Sequence, residues 1–394
     1  MTDDTMEDDS TVDDSMTDDM ADDSTTDDSP EGGAPEGGTP MPTLPEVTAL
    51  CAGLSGEDQV DCGEYIVNHV VPCGDCHTPT DETGAPLEGM FLAGNAMAPF
   101  LDTAPDDDEA GAVWVRNLTP DVETGLGAWT AEEIKTAIST GVRMNGDVLF
   151  PAMPYQEFAN MEEDDLDAIV AYLMQLPAVD NAVPDHQIDL PAAPPPLPPE
   201  TFPPIGLEED DEYYDDAVRG LYIAAYTGAC IGCHTPTNQG APDITNYFAG
   251  GRVFNLPSPP FPEEGVYTAN LTPSDDGIGA WSPQAVVNAL KLGVDAEGEA
   301  LCPPMPAGPM GAFGGMEDDD AMAVAIYLLS IEGKPNVTGE DYPECVAPGP
   351  PPSGEGGAPM SEAGTPEAGT PSPEAGTSSP EAGTSADAGD AGAN

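Results

Sequence analysis

The sequence predicts an all-α protein of two tandem domains between disordered tails, and three observations predict it. A series of motifs in the first half of the central region recurs in the second, in the same order, at an offset of 152 or 153 residues. Apolar residues around these motifs fall at helical spacing. Both ends are low-complexity.

Of 394 residues, 74 are Asp or Glu and only 7 are Lys or Arg. The first forty residues hold no base and little apolar surface, so residues 1–45 are expected to be a disordered acidic leader. Residues 348–394 repeat Pro-Glu-Ala-Gly-Thr at 366–370, 373–377 and 380–384 and are expected to be a disordered tail rich in those residues. Between them the repeat defines a domain at 46–180 and another at 208–347. The intervening 181–207, with Pro194-Pro195-Pro196 and Pro198-Pro199, reads as an extended, semi-rigid linker.

The acid excess persists without the tails. Such a surface repels nucleic acid and anionic lipid and favours a partner with a cationic docking face. No stretch approaches the ~20 apolar residues that span a bilayer, and Met1-Thr2-Asp3-Asp4 is not a basic start followed by an apolar run. An export signal is therefore expected to have preceded this sequence. The Ser/Thr-rich acidic leader also resembles the spacer behind the lipid-bearing Cys of bacterial surface lipoproteins, which makes a lipid anchor in the precursor an expectation.

Four of the eight Cys form two like pentads, Cys73-Gly-Asp-Cys76-His77 and Cys230-Ile-Gly-Cys233-His234. Two thiols one helical turn apart can each form a thioether to a haem vinyl while the adjacent His reaches the iron. A lone C-x-x-C also fits a zinc site or a thioredoxin-like redox pair. Zinc would want more Cys or His nearby, and thioredoxin-like chemistry would want alternating strands and helices; neither half supplies these. The reading is two covalently bound haem c groups, and thioether attachment implies a periplasmic or extracellular location. Cys51 and Cys62 precede the first pentad, while Cys302 and Cys345 bracket the last helix. One disulfide per domain is expected; cross-domain pairing, free thiols and Cys302 as a competing iron ligand are the alternatives.

Asn117-Leu118-Thr119-Pro120 recurs as Asn270-Leu271-Thr272-Pro273, Gly127-Ala128-Trp129-Thr130 as Gly279-Ala280-Trp281-Ser282, and Pro151-Ala152-Met153-Pro154 as Pro303-Pro304-Met305-Pro306. Residues 58–71 and 211–229 read as helices running into the pentads. Thr130 to Glu133 is a capping box with Gly141 as helix stop; Ser282, Pro283 and Gly293 are the cap, first residue and stop of the equivalent helix. Leu166, Ile169, Val170, Leu173 and Met174 form one stripe, as do Met322, Ala325, Ile326 and Leu329, each behind an acidic run suited to a helix N-terminus. These stripes are core, and the small residues beside Tyr172 and Tyr327 suit close packing on the pentad helix.

With His77 and His234 on the irons, Met153 and Met305 are the expected sixth ligands, each in a stiff Pro-flanked loop. Met144, Met161, Met310 and Met316 are set aside for lacking the repeated context, and most of the other Met read as gap-fillers or tail residues. His69 shares a helix with His77 and cannot easily reach the opposite haem face, and His186 reads as a surface residue of the linker. Arg143 aligns with Asp295; a cation near the first haem favours its reduced iron, so the first haem is expected to have the higher potential.

These motifs together resemble class I cytochrome c domains, and in detail the cytochrome c subunits of bacterial membrane-linked alcohol and sugar-acid dehydrogenases. The resemblance covers residues 58–176 and 211–331 through the pentads, Asn-Leu-Thr-Pro, the Gly-x-Trp segment and Met153-Pro154-Tyr155. It implies that Trp129 and Trp281 border the haems near their propionates, a buried indole N–H needing a partner, and that the turns of Asn117 and Asn270 line the pockets. Those subunits usually carry three pentads and a membrane-anchoring C-terminus, whereas this chain has two pentads, and half two has Ala307 in place of Tyr155. The expected function is a non-enzymatic electron carrier between extracytoplasmic redox proteins, with a dehydrogenase as one such partner. Alternatives are a haem enzyme, peroxidase-like or thiosulfate-oxidising, and a cell-surface conductive or scaffold cytochrome.

Overall fold

Pro72 decides how the first half begins. The computed structural model describes residues 45–81, 85–96, 111–188, 192–238, 241–254 and 266–335, and the backbone of 101–102. The expectations for the acidic leader, the repetitive tail and Cys345 lie outside these residues. Helix α1 (Glu57–Tyr65) continues as one π-helical turn, Ile66–Val70. Pro72 then holds Val71 in extended backbone, and the pentad forms a separate turn, α2 (Cys73–His77). The second half repeats this with α6 (Tyr214–Leu221), a π turn at Tyr222–Thr227, and α7 (Cys230–His234) after Ala229 at φ 49°. The pentads are thus separate turns behind a break, where the sequence pattern implied one continuous helix.

Helix α3 (Ala131–Thr140) starts on the capping box: Glu133 donates its N–H to Thr130 Oγ1 at 3.3 Å, and Thr130 donates its own to Glu133 Oε2 at 2.8 Å. Gly141 ends it at φ 69°. After the short α4 (Tyr155–Phe158) comes α5 (Glu163–Leu173). In half two, α8 (Pro283–Leu292) is capped by Ser282 and stopped by Gly293, and α9 (Asp318–Ser330) follows. The architecture is helix-rich but not purely helical. Among the described residues six two-residue strands form three antiparallel pairs: β1 (Leu101–Asp102) with β2 (Ala112–Val113), β3 (Thr237–Asn238) with β4 (Ala241–Pro242), and β5 (Val253–Phe254) with β6 (Val266–Tyr267). Leu101 faces Val113, and Phe254 faces Val266.

In each half the first helix crosses the last at a glycine. A Cβ at Gly63 would overlap the Ala168 carbonyl, and one at Gly220 would overlap that of Ala323, with Tyr172 and Tyr327 beside them. Buried Ile66, Val67, Leu92, Ile169 and Leu173 form the core of half one; Tyr222, Ile223, Phe248, Val324 and Tyr327 lie in that of half two.

The halves belong to one compact unit and meet through reciprocal bonds. Tyr65 donates its hydroxyl to Asp320 at 2.5 Å and accepts the Glu317 N–H; Tyr222 donates to Asp165 at 2.5 Å and accepts the Glu162 N–H. Both aspartates are fully buried. Asp165 also takes the Leu50 and Cys51 N–H groups, in a loop closed by the Cys51–Cys62 disulfide, while Asp320 pairs with Arg219. The Pro-rich segment is a strap packed on the protein. Asn181 donates to the Ala93 and Gly94 carbonyls, Gln156 donates to Pro195 O, Phe202 is buried in the second core, and Tyr327 donates to Pro203 O. Phe202 and the amide groups on either side supply the partners that hold it down.

Gly63→Ala and Gly220→Ala should each force the crossing helices apart. The expected loss is about 1–3 kcal/mol, as for other overpacked interiors, read as a lower urea midpoint at unchanged slope.

Candidate functional site

The two pentads carry the chemistry, and the residues around them are placed alike. His77 lies 2.7 Å through Nδ1 from the Arg116 carbonyl, and His234 lies 2.8 Å from the Ala269 carbonyl. A carbonyl only accepts, so Nδ1 carries the proton in both and Nε2 keeps its lone pair for a metal. Burial also pushes both imidazoles down, toward the neutral form that ligates.

That carbonyl comes close only because of a glycine. Gly94 and Gly250 adopt φ 77° and 72° and donate to the His77 and His234 carbonyls; a Cβ on either would stand 2.6 Å from the backbone of Arg116 or Ala269. Two residues earlier, Leu92 and Phe248 are fully buried with φ 55° and 59°, and Thr78 and Thr235 accept their N–H groups. Strained backbone of this kind persists where the surroundings over-determine it. None of these residues lies in the motifs that mark the repeat, although Ala93-Gly94 and Ala249-Gly250 stand at matching places in it.

The thiols of Cys73, Cys76, Cys230 and Cys233 are free. Burial pushes Cys73 and Cys230 up to about 12 and Cys76 up to about 11. A thioredoxin-like pair needs a lowered thiol instead, and no cluster of three or more His, Cys, Asp or Glu among the described residues could hold a metal ion. Cys302 is closed in a disulfide and has no thiol to offer an iron; its partner lies outside the described residues.

Met153 is half-buried against the first core and Met305 against the second, while Met161 and Met316 are 7% and 2% exposed inside those cores. Met161 and Met316 are also a repeated pair, so sequence context alone did not separate them from the ligand candidates; burial does. Met144 and Met310 are exposed. Trp129 and Trp281 are half-buried, and Trp281 packs on the second core.

Asn117 and Asn270 are buried and used up by the protein. Each takes the N–H and hydroxyl of the Thr two residues on, and each donates to the chain beyond the last helix, at Val179 O and Lys334 O, both 2.8 Å. Their geometry is that of staples joining the turn to the end of each half.

No family model matches the chain. The fructose dehydrogenase cytochrome subunit of Gluconobacter japonicus is 29% identical over 282 residues, covering 66% of this chain and 50% of that protein. The cytochrome c subunit of the quinone alcohol dehydrogenase of Gluconobacter oxydans is 29% identical over 294 residues, covering 69% and 55%. A dihaem c-type cytochrome of Cereibacter sphaeroides is 28% identical over 299 residues, covering 72% and 88%. The chain resembles di-haem cytochromes c. It spans about half the length of the two dehydrogenase subunits.

Haem c fits the residues present. Each pentad offers two free thiols and a His with a free Nε2, and a Pro-flanked Met packs on the same core. Two buried donors of half one, Arg116 Nε and the Tyr155 hydroxyl, lack a protein partner. Carboxylate acceptors such as haem propionates are the kind of group they want.

Arg143 pairs with Asp147 at 3.7 Å and lies within electrostatic range of Arg116, so two of the seven bases gather in this part of half one. At the matching place in half two, Asp295 accepts the Glu297 and Glu299 N–H groups. His186 joins the arginines: its Nδ1 accepts the Trp114 N–H at 3.3 Å, and Arg116 also bonds Val183 O and Asp185.

Burial, then Arg116 and Arg143, hold the His186 imidazole down at about 4. Stability drawn from the neutral ring is intact above 6.5 and is lost as pH falls from 6.5 toward 4. An NMR titration should place its midpoint near 4, and Arg116→Gln should move it back toward 6.5.

Proposed function

We propose that the chain is a two-haem c-type cytochrome that carries single electrons between redox proteins outside the cytoplasm and does no bond chemistry itself. The observation that carries this reading is the pair of equivalent pentads, each with its His Nδ1 tied to a backbone carbonyl so that Nε2 is presented to a metal. Electron transfer is what the named relatives have in common as cytochrome subunits or a dihaem cytochrome.

When bound, haem c supplies a one-electron Fe(III)/Fe(II) couple. In this reading Cys73, Cys76, His77 and Met153 would hold the first haem, and Cys230, Cys233, His234 and Met305 would hold the second. Trp129, Trp281 and Arg143 border the pockets. Gly94 and Gly250 let the Arg116 and Ala269 carbonyls orient the His ligands. With His and Met side chains holding each iron, transfer would be outer-sphere.

Cys76 lies within electrostatic range of Cys233, so the attachment turns are neighbours across the contact between the halves. That supports a relay in which an electron entering at one haem passes to the other inside the protein. The acid excess favours donors and acceptors with cationic docking faces, a dehydrogenase among them. No described helix is long and apolar enough to cross a membrane. The cations gathered around Arg143 favour reduction of the first haem before the second.

Oxidised and reduced spectra with a pyridine haemochrome count test the proposal. The expected result is two haems per chain, both with the near-infrared band of Met ligation and neither binding cyanide readily. Met153→Ala should remove that band from one haem, lower its potential and open it to cyanide. A wild-type haem that binds cyanide or turns over peroxide would replace the carrier reading by the enzyme one.

A further inference from the structure

The contact between the halves is not symmetric at the pentads. Asp75, in the middle of the first pentad, accepts the Ala312 N–H of half two. At the matching contact the pentad residue is Gly232, and the carboxylate comes from the opposite half, as Glu157. A Cβ on Gly232 would stand 2.9 Å from Glu157 Oε1. Glu157 is 7% exposed and feels the second pentad's Cys233. Arg252, just before β5, donates to the Gly232 carbonyl and stacks on Phe254, 5.0 Å from the ring centre. A carboxylate from half one and a guanidinium from half two therefore flank the second attachment turn.

We propose that Glu157 is a positioning residue for the second redox centre: from the opposite half it sets that centre's potential and takes up a proton when the centre is reduced. This rests on the two-haem reading above. Each electron comes from a one-electron redox protein and each proton from water. The iron goes from Fe(III) to Fe(II), the carboxylate becomes a neutral carboxyl, and the charge of the site is unchanged.

The electrostatics support the coupling. Burial pushes Glu157 up to about 7, with Arg252 opposing. The titratable groups that face it are Arg252 just before β5, Cys233 on α7, Tyr247 in the loop beyond, and Tyr155 on its own turn. Both tyrosines are raised by burial and stay neutral, and a thioether removes the Cys233 proton, which leaves Arg252 as the opposing charge. Adding an electron beside Glu157 raises its proton affinity further. The first pentad has no counterpart from the opposite half, because Ala312 stands where Glu157 would be. Sequence reading missed Glu157: it adjoins no repeated motif, and only the fold brings it to Gly232.

The experiment is a spectroelectrochemical titration of the haem-loaded full chain from pH 5 to 9, with Met305→His used to mark the second centre's wave. In wild type that wave should fall with pH by up to tenfold in the electron equilibrium per tenfold in protons, which is about 59 mV per unit for a one-electron couple. Glu157→Gln, of the same size, should flatten the slope and raise the midpoint at pH 8; Glu157→Asp should restore a slope. Reduced-minus-oxidised infrared spectra of wild type at pH 7 provide a check that needs no variant, because a protonated-carboxyl band should grow on reduction. Two waves with identical slopes in wild type and Glu157→Gln, or no such band, would overturn this inference alone. Fewer than two one-electron waves would overturn it together with the two-haem reading.

Discussion

Two buried aspartates, each reached by a tyrosine from the other half, hold the molecule in its arrangement. Asp165 and Asp320 are inaccessible to water, and a buried carboxylate is tolerated only when hydrogen-bonded or paired. Tyr222 and Tyr65 provide part of that satisfaction. Each half is thus completed by the other, and each helical segment carrying a tyrosine is followed, after a two-residue break, by a pentad. The bonds that join the halves also bring the attachment turns together.

Duplication explains the near symmetry, and the departures from it carry the functional differences. Lys135, held by Glu132, Glu163 and Asp167, ties α3 to α5; Lys291 and Asp318 tie α8 to α9. With most bases engaged in such structural pairs, little positive charge is free to offset the acid surface. Three bases gather at the candidate sites: Arg116 and Arg143 with His186 in half one, and Arg252 with Glu157 at the second pentad. In a chain with a formal charge of −67, these few cations are where two otherwise similar sites become different.

Much of the local structure was legible in the sequence because its causes are local. Thr130 with Glu133, and Ser282 with Pro283, mark helix starts through side chains that bond the next turn, and Gly141 and Gly293 mark the ends through left-handed backbone. One disulfide per domain was expected with the pairing left open, and in the first half the bond joins Cys51 and Cys62, a sequence separation of 11. The π turns, the separate pentad helices and the short antiparallel pairs were not legible, since each depends on packing that the 3.6-residue period does not encode. The strap was read as a stand-off linker because Pro content describes stiffness and not where Phe202 and Asn181 find partners.

The sequence by itself determined the duplication, the repeated pattern of Cys, His and Met residues, and the helix boundaries nearest those motifs. Thioether spacing and capping are set by residues within one or two turns of each other. Tertiary structure alone decided that the pentads are neighbours, that His69 meets Ala312 of the other half, that Asn117 and Asn270 serve as staples, and that Glu157 of one half flanks the pentad of the other. Those outcomes depend on polar groups as far apart as Tyr65 and Asp320, 255 residues along the chain. Hydrophobic burial folds the chain between them, and once these groups are buried a donor or acceptor left unpaired costs ~1–3 kcal/mol, which selects the paired arrangement.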